Sequence, residues 1–114
     1  MSFLDYFITP DGLQELDPDS VEKKAKEEDT VVVDVRTRSE YSGGHIANSK
    51  HIPLGSVKDH MSQLSKDHKY ILICATGHRS RAAGAIFLKN GYVNVSQLKG
   101  GMGSWKRSGK NIEK

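Results

Sequence analysis

The sequence predicts one α/β domain built on a mostly parallel sheet, and three observations carry that prediction. Two β-branched or continuously apolar runs, Val31-Val32-Val33-Asp34-Val35 and Tyr70-Ile71-Leu72-Ile73-Cys74, lack the alternation of a half-exposed strand, so each reads as buried on both faces. Helix-like stretches lie between and after them, and strands interleaved with helices suit a parallel sheet. The 114 residues include 36% hydrophobic and 27% charged side chains with no long biased tract, enough for a modest core without disulfides or a structural metal.

Taken in order, the first helix is expected over residues 17–28, where Asp17-Pro18 supplies a cap followed by proline in the first turn. After the Val31 run, Thr37-Arg38-Ser39-Glu40 fits a capping box and should open a short helix or turn. His51-Ile52-Pro53-Leu54 permits a short strand, and its proline confines it to an edge or an end. A short apolar-periodic segment follows over residues 56–64, with Val57, Met61 and Leu64. The segment 79–90 reads as a helix stopped by Asn90-Gly91. Val93-Asn94-Val95-Ser96-Gln97-Leu98 alternates, which predicts a more exposed strand. No repeat or linker interrupts the pattern. The first ten residues and the polar tail over 108–114 are expected to lie outside the core, and the apolar start Phe3-Leu4-Asp5-Tyr6-Phe7-Ile8 to pack back on it, in a monomer.

Charge excludes little but points somewhere. Seventeen basic against 14 acidic residues give a formal +3, and the cations are mostly scattered, so no nucleic-acid partner is expected. The N-terminus lacks the basic-then-apolar pattern of a secretory signal, and no apolar run approaches the ~20 residues that span a bilayer. A single cysteine cannot form an intramolecular disulfide or a multi-cysteine metal site, so neither metal nor cofactor is expected. A cytoplasmic location is the expectation. The lone thiol is then either a small buried hydrophobe or a reactive group.

Cys74-Ala75-Thr76-Gly77-His78-Arg79-Ser80-Arg81 favours reactivity. Cys74 ends a buried strand, and the next helix begins within five or six residues. Ligands of open α/β sheets bind beyond the carboxyl ends of strands, where helix N-termini point free amides. A loop this short should curl its N–H groups toward one point, with Gly77 relieving the steric cost. The helix dipole and the cations Arg79 and Arg81 favour the thiolate, which is the nucleophile. An inert core cysteine needs neither the glycine nor the cations.

This loop, Cys74-x-x-Gly77-x-Arg79-Ser80, resembles the active-site loop of the rhodanese family. Three flanking stretches agree in order: Asp34-Val35-Arg36, then Gly44-His45-Ile46 leading to Ile52-Pro53-Leu54, and finally Gly100-Gly101-Met102 with Trp105. The resemblance covers residues 12–110, within a domain taken as 1–114. It implies a five-stranded, mainly parallel sheet with helices on both faces and a covalent persulfide on Cys74. One departure stands out: Ala47-Asn48-Ser49-Lys50 replaces a Pro-Gly-Ala type turn, outside the cysteine loop. Asp34 and Arg36 are expected to form an ion or capping pair in a supporting role, His45 to be a hydrogen-bonded structural residue, and Trp105 to pack the last helix. Gly100-Gly101-Met102-Gly103 lacks the spacing of a dinucleotide fingerprint.

The residues and the resemblance together imply sulfur transfer. Cys74 takes sulfane sulfur from a small anionic donor such as thiosulfate, the loop residues Ala75, Thr76, Gly77, His78 and Arg79 hold it, and a thiol, cyanide or a sulfur-relay protein removes it. Ser80 and Arg81 support the loop, and His78, Arg79 and Arg81 should attract the donor. A persulfide carrier or redox-sensing module would use the same loop without rapid turnover. The remaining enzyme alternative is a cysteine phosphatase, whose loop has five residues between cysteine and arginine; here four separate Cys74 from Arg79. The tighter ring suits a terminal sulfur and crowds a phosphoryl group.

Overall fold

The computed structural model describes residues 9–114, so the expected packing of the apolar start falls outside the described residues. Strand β1 (Gln14–Leu16) leads into α1 (Pro18–Lys24), β2 (Thr30–Asp34), α2 (Arg38–Ser42) and the two-residue β3 (Lys50–His51). Then come α3 (Val57–His60), β4 (Lys69–Ile73), α4 (His78–Lys89), β5 (Val95–Leu98) and α5 (Gly101–Arg107). The five strands form one sheet in the order β1-β5-β4-β2-β3, and every pairing is parallel. β4, which leads to the cysteine, is therefore the middle strand.

The unbroken apolar runs have a simple cause. Successive side chains of β4 enter opposite cores: Tyr70, Leu72 and Cys74 join Phe87 and Ala83 of α4, while Ile71 and Ile73 join Val21 of α1 and Met102 and Trp105 of α5. Helices thus cover both faces of the sheet. Tyr70, Phe87 and Tyr92 pack as three mutually tilted or edge-on rings with centroids 5.2–5.6 Å apart, an arrangement that aromatic quadrupoles favour.

Side-chain caps fix the starts of α1 and α2. Asp17 accepts a hydrogen bond from the Ser20 amide with Pro18 in the first turn, and Thr37 with Glu40 closes the full capping box. The first helix nevertheless ends at Lys24, short of residue 28, with turns following. The segment 56–64 holds only one α-helical turn, flanked by 3-10 turns at Leu54–Ser56 and Met61–Gln63. The departing turn is built with Asn48 at φ +64° while the Ser49 amide donates to the Ile46 carbonyl at 3.1 Å, a left-handed position that asparagine tolerates.

One expectation is corrected. β5 is wholly buried rather than exposed, because β1 pairs with it on one side and β4 on the other; Val93 and Asn94, before the strand begins, are open to solvent. The polar tail stays outside the core, on the surface, where it is tied to the domain. Glu113 forms an antiparallel bridge with His45, Asn111 accepts from the Trp105 indole at 2.8 Å, and Lys110 pairs with Asp19 and Glu22. Among the described residues no helix is long and apolar enough to cross a membrane.

Candidate active site

Cys74 directly follows the last residue of β4 and is 1% exposed. The chain then has only Ala75, Thr76 and Gly77 in which to reverse into α4, which starts at His78. Gly77 takes φ +106°, a conformation that penalises any side chain, and its N–H donates to Cys74 Sγ at 2.8 Å. The sulfur is therefore held beneath a helix N-terminus, where backbone amides and the helix dipole favour negative charge. Ser80, one turn into α4, is fully buried with its Oγ 3.6 Å from the sulfur.

From the other side the loop is clamped by α5. Met102 N–H donates to the Cys74 carbonyl at 2.7 Å and Gly103 N–H to that of Ala75 at 3.1 Å. The approach needs Gly101: a Cβ there would lie 2.3 Å from the Cys74 carbonyl oxygen, and its φ is +60°. Gly101 of the Gly100-Gly101 signature is thus a steric requirement of the cysteine loop. These bonds engage two loop carbonyls with α5, while the Gly77 amide faces the sulfur.

Arg79 reaches across to α2. Its guanidinium makes a two-point pair with Glu40, at 2.6 and 2.9 Å, so its charge is engaged there. The hydrogen bonds from Arg79 lower the Glu40 pKa to about 2, with the Thr37 amide and hydroxyl adding to the effect against a smaller cost of burial. Arg79 is raised in turn, first by the Glu40 bond and more weakly by the charges of Cys74 and Asp34. His78 Nδ1 lies 3.5 Å from Thr76 Oγ1 within the loop. Arg81 belongs to the first turns of α4, and its Nε is buried with no hydrogen-bond partner.

Asp34 and Arg36 form a buried pair at the end of β2. Arg36 Nε and Nη2 donate to both carboxylate oxygens at 2.9–3.1 Å, and Nη2 also donates to the Gly44 carbonyl at 2.7 Å. His45 bonds the Tyr41 carbonyl through Nδ1 at 2.8 Å and stacks on the Tyr41 ring, which His51 covers from its other side. Among the described residues no three His, Cys, Asp or Glu side chains converge as metal ligands would.

The structure places Cys74 through Arg81 in one turn and the start of α4, and joins to them three residues that the sequence did not single out for the site. Glu40 was visible only as a helix cap. Gln97 accepts from Ser80 Oγ at 2.5 Å, and Glu15 accepts from Gln97 Nε2 at 3.1 Å. The available signal for Gln97 was a long polar side chain in a strand flanked by apolar residues; β1, which carries Glu15, gave none.

A cysteine held under helix-terminal amides at the carboxyl end of the middle strand defines the molecule as a parallel α/β domain with a cysteine-centred loop. A family model described as "Rhodanese-like domain" matches residues 17–108. A sulfurtransferase of Allochromatium vinosum is 34% identical over 98 residues, covering 85% of this chain and 92% of that protein. Thiosulfate sulfurtransferase GlpE of Pseudomonas aeruginosa is 32% identical over 96 residues, with 84% and 86% covered. The crystal structure of a rhodanese-related protein from Thermoplasma volcanium superposes with a TM-score of 0.78 at 33% identity, covering 88% of this chain and 97% of that one. The chain belongs to the rhodanese-like domain family.

Proposed function

We propose that this protein is a sulfurtransferase that carries sulfane sulfur as a persulfide on Cys74, with thiosulfate as a competent donor. The observation that carries this reading is the Gly77 N–H aimed at Cys74 Sγ from 2.8 Å, in a loop with four residues between Cys74 and Arg79. The Cys74 thiolate attacks the outer sulfur of thiosulfate. A sulfur–sulfur bond forms to Cys74 as the bond to sulfite breaks, and sulfite leaves with the electron pair. A thiolate acceptor, or cyanide in an assay, then attacks the outer sulfur and returns the electron pair to Cys74. The loop amides stabilise the charged sulfur at both stages. The relatives named for sulfur transfer support this class of chemistry, and a lone thiol suits a reducing, cytoplasmic setting.

Two features speak against phosphate chemistry. Only four residues separate Cys74 from Arg79, and that arginine is turned to Glu40 instead of into the loop. With Arg79 neutralised, attraction of an anionic donor rests on the loop amides and on His78 and Arg81.

The test is the intact mass of the protein before and after excess thiosulfate, and again after a thiol reductant. A reversible gain of about one sulfur atom is expected, and Cys74→Ser should show none while keeping its fold. A gain that survives in Cys74→Ser would end the assignment. A gain from a persulfide donor alone would make the protein a carrier and remove thiosulfate from the proposal.

A further inference from the structure

Behind Cys74 lies a file of buried polar groups. Ser80 and Gln97 are both fully buried, and a glutamine in an apolar interior is costly unless both ends of its amide are bonded. Both ends are. Gln97 Oε1 accepts from Ser80 Oγ at 2.5 Å, and Nε2 donates to Glu15 Oε2 at 3.1 Å.

Chemistry at the outer end sets the order of donors. The Glu15 carboxylate has lone pairs and no hydrogen to give, so it holds the NH2 end of the amide. The amide carbonyl must then face Ser80, whose hydroxyl has one hydrogen. Its acceptors are Gln97 Oε1 at 2.5 Å and the Gly77 carbonyl at 3.0 Å. Cys74 Sγ, at 3.6 Å, is left facing a Ser80 lone pair, an arrangement that accepts from a thiol and gives nothing to a thiolate.

We propose that Gln97 is a positioning residue for Cys74 and that Glu15 sets its orientation, so that the pair draws the Ser80 hydrogen away from the sulfur and restrains its anion. Turning the amide over would let Nε2 donate to Ser80 and free that hydrogen for the sulfur, where a charged acceptor is favoured. Release of the Glu15 end permits the turn. Whatever occupies Glu15 on the edge strand therefore tunes the nucleophile from the far side of β5. The inference rests on Cys74 being the nucleophile and specifies how that same site is regulated.

The experiment is the rate of Cys74 alkylation by iodoacetamide against pH, in the wild type, Glu15→Ala, Ser80→Ala and the double variant. Glu15 is exposed, so its truncation leaves the core intact. The other charges near the sulfur, Arg79 on α4 with Glu40 on α2, the Asp34–Arg36 pair at the end of β2, and His78 and Arg81 in the first turn of α4, are unchanged across the set. In Glu15→Ala, alkylation below the wild-type midpoint should rise about tenfold or more, the scale of one hydrogen bond to a charged acceptor. The rise should vanish in the Ser80→Ala background. Gln97→Met, which keeps the volume and removes both polar ends, should match Glu15→Ala. An unchanged profile overturns the proposal, and so does a rise that persists without Ser80, because general loosening would then explain it. Alkylation needs no sulfur donor, so a failure of sulfur loading would count against sulfur transfer and leave this result standing.

Discussion

Asp34–Arg36 and Glu40–Arg79 are both two-point arginine–carboxylate pairs near the cysteine loop, but the side chains of the first are 1% and 4% exposed and those of the second 35% and 29%. The inner pair joins residues two apart and bonds Gly44 as well; the outer pair joins residues 39 apart on two different helices. Depth decides what each contributes. Removing one partner of a sealed pair strands a charge in low dielectric, whereas water can replace a partner at the rim. The inner pair therefore belongs to the stability of the sheet end, and the outer pair to the placement of the loop.

The sharpest way to break that distinction is Arg36→Ala, which should cost about 3–5 kcal/mol in urea unfolding, the typical loss for an uncompensated buried charge. A loss below about 1 kcal/mol would mean that water reaches Asp34. Arg79→Ala should show the reverse profile. Its stability should fall by about 1 kcal/mol or less, while sulfur loading of Cys74 slows by roughly tenfold or more as the loop loses its tie to α2. Equal losses in both properties would erase the contrast between the pairs.

The smallest effect concerns acid. Glu40 is depressed from 4.5 to about 2 in the folded protein, chiefly by Arg79, so its stabilisation is fully present above about pH 4.5 and is lost as pH falls through about 2. Exposure of one third screens this contribution to about 1 kcal/mol. The stability difference between wild type and Glu40→Gln should therefore be present at pH 6 and shrink toward pH 2. A difference independent of pH would show that the carboxylate charge is not what Arg79 reads.

The legible parts of the fold were those encoded locally. Asp17-Pro18 and Thr37-x-x-Glu40 carry their caps in sequence, and the β-branched run before Asp34 and the apolar run before Cys74 each feed two cores and show no alternation. Cys74 with Gly77 marked the loop because a strand end and a helix start lie so close together. What stayed hidden depends on distant partners. β1 is three residues long and mostly exposed, and only its pairing with β5 makes it a strand. The alternating segment 93–98 suggests a more exposed strand because nothing local reveals that β1 pairs along its outer edge. Arg79 read as a cation for the donor, since nothing near it in sequence reveals that Glu40, already a cap, would also take its charge.

The clamp from α5 has a consequence for time as well as space. The amides of Met102 and Gly103 begin a seven-residue helix that is too short to hold itself together in isolation, yet they bond the carbonyls of Cys74 and Ala75, and Met102 and Trp105 anchor the helix in the core beneath the sheet. Loop opening must therefore break bonds to α5 and disturb that core, so the two segments form one cooperative unit. Cys74 opens a turn, but that turn is tied to the sheet interior, and the surroundings of its sulfur should persist for as long as the domain stays folded.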